Sequence, residues 1–178
     1  EGSTTHRFYI DNTAPTQAAP TVTALGGTVR TGYFNTTNTG FRVSVPLAND
    51  ATLVGGNFKV QYQTADDAAF SSNPSSWTDV SAIATHSIQT GEPNTTIDKN
   101  LTSSEFLNLV AEGKYIRFRA VTTDAAGNST NGNESSATLR DATLPTISSS
   151  SSVDAASNGA TDYLDITFSE PVYTNNDG

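Results

Sequence analysis

The chain of 178 residues contains neither cysteine nor methionine. Disulfides, thiolate metal sites and thiol chemistry are therefore excluded. Only two histidines, His6 and His86, and one tryptophan, Trp77, are present. Neither histidine stands in a Gly-x-Ser-x-Gly or His-Glu-x-x-His frame, so the expectation is no enzyme. Basic residues are equally scarce. The only lysines are Lys59, Lys99 and Lys114, the formal net charge is −9 and the pI is near 4.4. Such a surface repels nucleic acid and anionic lipid, and it suits divalent cations. No apolar run approaches the roughly 20 residues needed to cross a bilayer. A domain without disulfides leans on its core or on bound cations, and the lack of oxidisable sulfur fits an extracellular or cell-surface location.

What the chain does have is a repeated stretch. Asp11-Asn12-Thr13-Ala14-Pro15-Thr16 returns as Asp141-Ala142-Thr143-Leu144-Pro145-Thr146, 130 residues further on. A repeat of about one domain length is the mark of tandem modules, although Thr and Pro are common enough here for a chance match. Proline fixes its own φ and holds the preceding residue extended, so each copy reads as a stiff connector. The division that follows is residues 1–14 as the end of a preceding repeat, 15–143 as one complete module, and 144–178 as the truncated start of the next. The termini of the parent protein are expected to lie elsewhere.

Between the connectors, period-two alternation marks strands at Thr21–Leu25, Phe41–Val45, Phe58–Gln63 and Gly113–Thr122. Weaker ones are expected at Trp77–Val80, 82–88, from Thr96 and at 135–139, with Thr4–Ile10 before the first connector. One helix signal interrupts them. Thr102-Ser103-Ser104-Glu105 matches a capping box and Gly113 stands where a helix-ending glycine would, predicting a helix over 103–111. The inward face is expected to carry Phe41, Val43, Val45, Phe58, Val60, Tyr62, Ile116, Phe118 and Ala120. Beyond Pro145, 147–152 reads as a strand or a flexible run, and Tyr163–Phe168 as the second strand of the following module.

Tyr115 to Asn128, with the Asp-x-Thr-x-Pro connectors, resembles the bacterial Ig-like and fibronectin type III-like repeats of large secreted adhesins. Asp124, Gly127 and Asn128 match the Asp-x-x-Gly-Asn turn those repeats often carry. The resemblance implies an all-β fold, an Ig-like antiparallel β-sandwich in tandem array with one short helix, and puts Tyr115 at the tyrosine-corner position. It implies a spacer or stalk segment of a surface adhesin. The partners it implies are neighbouring repeats of the same chain and a surface glycan or protein ligand, with no nucleic acid and no membrane insertion. It also implies calcium at module junctions, with Asp11, Asp124, Asn128 and Asp141 as metal ligands. Calcium needs six to eight oxygens, and Asp- and Asn-rich loops supply them. The competing reading makes Asp124–Asn128 an Asx-type turn and each connector aspartate a local cap. The alternative function is an accessory carbohydrate-binding module of a secreted polysaccharide-degrading enzyme, using Trp77, Tyr33, Phe34 and Phe70 as a stacking platform. A direct protein-binding domain is a third reading.

Overall fold

The computed structural model describes residues 10–157 and 159–170. The strand expected at Thr4–Ile10, His6 and the Asn175–Gly178 tail lie at or outside those limits. The chain forms two compact units, 1–142 and 143–178.

Among the described residues the first unit has ten strands, one short α-helix and a 3-10 turn at Ala51–Leu53. β1 (Thr21–Leu25) pairs antiparallel with β3 (Gly40–Pro46), and β3 with β7 (Thr96–Thr102), making one sheet in the order β1-β3-β7. The second sheet runs β2-β10-β8-β4-β5, from β2 (Tyr33–Asn35), β10 (Thr138–Asp141), β8 (Tyr115–Thr123), β4 (Asn57–Ala65) and β5 (Thr78–Asp79). Two short strands sit beside it, β6 (His86–Ser87) on β4 and β9 (Ser129–Asn131) on β8. Its spine is the nine-residue β4–β8 pairing, Asn57 opposite Thr123 through Ala65 opposite Tyr115. Strict alternation on both strands sends Phe58 and Val60, with Ile116, Phe118 and Ala120, to one buried face.

That face closes against Phe41, Val43 and Val45 of β3, so the two sheets share one core. Its centre is aromatic. Phe41 and Phe34 both stack on Phe106 with centroids 4.3 Å away, and Phe118 lies 5.6 Å from Phe41. Tyr62, expected inside, packs at the core's margin and is only partly buried, because the longer ring reaches the sheet's border.

The capping box forms as expected. Thr102 Oγ1 accepts from Glu105 N and Glu105 returns a bond to Thr102 N. The helix α1 (Ser103–Leu107) is shorter than the predicted span, because the chain tightens after Leu107 and Leu109 N bonds to Phe106 O. Two strands fall where loops were expected. β2 arises because Asn38 locks the loop, its Oδ1 accepting from Asn35 N and its Nδ2 donating to Gly26 O. Gly26 and Gly27, at φ +71° and +57°, make the bend that only glycine tolerates cheaply. β9 folds back on β8 directly after the Asp124 turn.

The second unit is an antiparallel pair, β11 (Ile147–Val153) with β12 (Tyr163–Phe168).

Candidate functional site

Strand direction fixes where the connectors meet the first unit. β8 runs from Tyr115 to Thr123, and β10 pairs antiparallel with it, Leu139 opposite Tyr115. The chain therefore leaves beside the start of β8. It enters beside the end of β8, where the Asp124–Asn128 turn meets Asp11. Nine residues at about 3.4 Å each separate these poles by about 30 Å.

At the entry pole, Asp124 is buried. Its Oδ1 accepts from the N–H groups of Ala126 and Asn128, each at 2.9 Å, and its Oδ2 from Asn128 Nδ2 at 3.0 Å. Burial pushes its carboxyl up, but the bonds from the Asn128 side chain and from the backbone amides outweigh this and hold it below the usual range. Asn128 Nδ2 also donates to the Asp11 carbonyl at 3.0 Å, while Asp11 Oδ1 accepts from Thr13 N. Gln17 completes the attachment. Its Nε2 donates to the carbonyls of Pro46 and Ala18, its Oε1 accepts from Thr122 Oγ1 at 2.7 Å, and its carbonyl accepts from Asn133 N. Pro15, Gln17 and Pro20 are all buried, so this connector is part of the folded unit.

At the exit pole, Arg140 Nη1 donates to the carbonyls of Leu107 and Val110, capping the end of α1. Its Nε donates to Glu112, whose other oxygen accepts from Ala142 N at 2.8 Å. Asp141 continues β10 opposite Asn35 of β2.

Of the four expected metal ligands, Asp11, Asp124 and Asn128 come together at one pole and Asp141 stands at the other. The three make a hydrogen-bonded Asx-type turn with a tethered connector, in which N–H donors occupy both Asp124 oxygens. Among the described residues, no three His, Asp or Glu side chains group closely enough to hold a metal ion. Gln17, Glu112 and Arg140 were not singled out in the sequence. The one local signal was a glutamine in an otherwise Ala- and Pro-rich connector.

The aromatic platform does not form. Phe34, expected to be exposed, is 1 % exposed, and Phe70 is buried as well. β2 turns Phe34 inward onto Phe106, and the Arg117 guanidinium covers Phe70 at 4.1 Å. Trp77 is half-buried with Arg119 over its ring at 4.3 Å. Burial lowers the Arg119 pKa, and Glu134 opposes the shift. Arg117 and Arg119 bond the side-chain carbonyls of Gln63 and Gln61, so the outer face of β4 and β8 is a self-satisfied ladder of arginine, glutamine and aromatic rings.

His86, on β6, is half-buried. Its Nδ1 lies 3.1 Å from Lys99 Nζ and its Nε2 3.0 Å from Glu92 Oε2, with the Phe58 ring centroid 4.9 Å away. Lysine can only donate, so this geometry assigns the proton to Nε2. Asp66 and Asp67 serve their loop. Asp66 pairs with Lys114 and Asn73, and Asp67 accepts from the amides of Ala69, Ser71 and Ser72. No helix among the described residues is long and apolar enough to cross a membrane. No protein-family profile matches the chain, and no curated protein matches it.

Proposed function

We propose that this chain is a spacer segment of a bacterial cell-surface or secreted adhesin, built from Ig-like sandwiches in tandem. The observation that carries this reading is the path of the chain through the first unit. It enters at one pole and leaves at the other, and side chains fasten both ends: Asn128 and Gln17 at entry, Glu112 and Arg140 at exit. Tension along such a path loads the parallel β2–β10 pair and the antiparallel β10–β8 pair in shear, so their bonds must yield together. The two-sheet arrangement, with α1 between β7 and β8 in the chain, supports the Ig-like assignment. The acidic surface keeps an extracellular array soluble. The work is mechanical, and its partners are neighbouring repeats and the load at the far end, a surface glycan or protein.

Stretching the chain between its ends in a single-molecule force experiment tests this. The expected result is one abrupt event, releasing about 40 nm at roughly 3.5 Å per residue. Smooth extension with no force peak would reject a load-bearing role.

Calcium stiffening belongs to the same proposal at junctions alone, where a neighbour's loop carboxylates would join Asp11 or Asp141. Residues 10–142 by themselves should melt identically with calcium and with chelator, because no group of three carboxylate or imidazole side chains among the described residues converges on a cation. A chain with a complete neighbouring module should gain about 1 kcal/mol at a few times a Kd of about 10⁻⁴ to 10⁻³ M. Two of the four platform residues of the accessory carbohydrate-binding alternative, Phe34 and Phe70, are buried. Retention of the chain on insoluble polysaccharide would reinstate that alternative.

A further inference from the structure

The β11–β12 pair opens in the register of β1–β3 and is offset from it by one residue beyond Ile147. In the first unit Val22 stands opposite Val43 and Thr21 opposite Ser44. In the second, Ile147 stands opposite Phe168, Ser169 N donates to Thr146 O at 2.8 Å, and Thr146 N donates to Ser169 Oγ at 3.0 Å. Each of these residues lies 125 positions after its counterpart. Pro145 follows Pro20 by the same interval, and in the sequence so does Pro171 after Pro46. A one-residue irregularity between Ile147 and Ser149 then sets Ser150 opposite Ile166, as Ala24 stands opposite Phe41. The strands thus equate Pro145 with Pro20, not with Pro15, and move the repeat interval from 130 residues to 125.

The equivalence identifies what one face of the hairpin lacks. On β1–β3 the face bearing Ala24, Phe41 and Val43 is buried under the second sheet. On β11–β12 the matching face carries Ile147, Leu164, Ile166 and Phe168, which are 60, 58, 44 and 38 % exposed. The other face bears Asp165 and Thr167, polar like Arg42 and Ser44, and ends at Tyr163 opposite Val153. Two positions depart: Ser150 stands where Ala24 is buried, and Glu170 where Val45 is. No lysine or arginine occurs from Asp141 to Gly178, which disfavours an anionic membrane or a nucleic acid as the cover.

We infer that this face is one half of a second core, and that it takes a β-sheet with the inward pattern of β4 and β8, supplied by polypeptide of the same repeat. The inference rests on the modular reading above and adds to it a register and an occupant. Two strands alone are marginal in water, and four large apolar side chains on one face need a complementary sheet.

The test extends the full chain after Pro171 with a second copy of residues 47–142, which preserves the 125-residue interval. Two cooperative unfolding transitions are expected, and the β12 amides should gain about 100-fold in hydrogen-exchange protection over the 178-residue chain. Fluorescence of a hydrophobic dye bound to the hairpin should fall. Ile166→Ser with Phe168→Ser in the extended chain should remove the second transition and leave the first at its midpoint. Inserting one residue after Phe168 moves the appended copy out of register and should also remove it. A missing second transition in the extended chain overturns the inference, as does one that survives the double substitution. The force response of the first unit does not depend on this hairpin, so failure of the spacer reading would be seen separately.

Discussion

At the scale of single residues, what the sequence disclosed depended on how far away each side chain's partner lies. Phe118 was legible because alternation along β8 puts Ile116, Phe118 and Ala120 on one face, and all three are buried. Phe118→Ala should cost about 3–5 kcal/mol in chemical denaturation, since the cavity opens beside Phe41 in a stacked aromatic centre. A cost below about 1 kcal/mol would contradict that burial. Phe34 was misread because a three-residue strand in a polar loop is too short to show a period. Gln17 was invisible for another reason: Pro46 and Thr122, which it bonds, are 29 and 105 residues away. Asn128 lies between these cases, since its turn was recognised but its bond to the Asp11 carbonyl, across 117 residues, was not. Asn128→Ala should cost about 1–2 kcal/mol by removing both side-chain bonds. The amide of Thr13 should then lose hydrogen-exchange protection, a local loss that mere weakening of the turn would not give.

At the scale of elements, local signals set where elements start, and tertiary contacts set where they stop. The capping box placed the first residue of α1 correctly. Its end was not readable, because Arg140 caps it from β10 and the chain tightens after Leu107. Thr102→Ala removes the side-chain acceptor for Glu105 N and should cost about 1 kcal/mol of global stability, measured in urea. The strand from Thr96 ran longer than its opening residues suggested. Its middle is polar because Asp98 and Asn100 meet the Ser44 and Arg42 side chains on the outer face, while Lys99 turns the other way to His86. The hairpin register is a clear instance of the same limit. Matching letters gave an interval of 130, whereas matching strand pairs gives 125, since Pro-Thr occurs twice in the first connector.

At the scale of the whole molecule, acid should be the sensitive direction. Asp66, Asp67, Asp79, Glu92, Glu105 and Asp124 are all held below their usual pKa. For Asp66 the largest cause is the bond from Lys114, for Asp67 the amide of Ser71, and for Glu92 the amide of Gln89. A carboxyl depressed in the folded state binds protons more weakly there than in the unfolded chain. Its stabilisation is therefore complete above the unfolded value, roughly pH 4, and is lost as pH falls through the lower folded values. Melting temperature should stay level from pH 7 to about 5 and fall steeply below about 4. A midpoint that rises on acidification would contradict these assignments. The all-β character and the single short helix were legible at this scale because they are sums over many alternating segments. The outer ladder of Phe70, Trp77, Arg117 and Arg119 was not, because it joins strands far apart in sequence.

The two copies of the proline connector differ in the burial of their prolines, and a protease would tell them apart. In the first, Pro15, Gln17 and Pro20 are buried and the backbone is bonded at Asp11, Gln17 and Ala18. In the second, residues 143–146 are exposed, and Leu144 is 67 % so. Cleavage needs several residues to pull free and lie extended in an enzyme's groove, which the first copy resists and the second permits. An endopeptidase that cuts before leucine would therefore act at Thr143–Leu144 and leave the first unit whole. Such a cut would fall just after the boundary of the two compact units, not within the first.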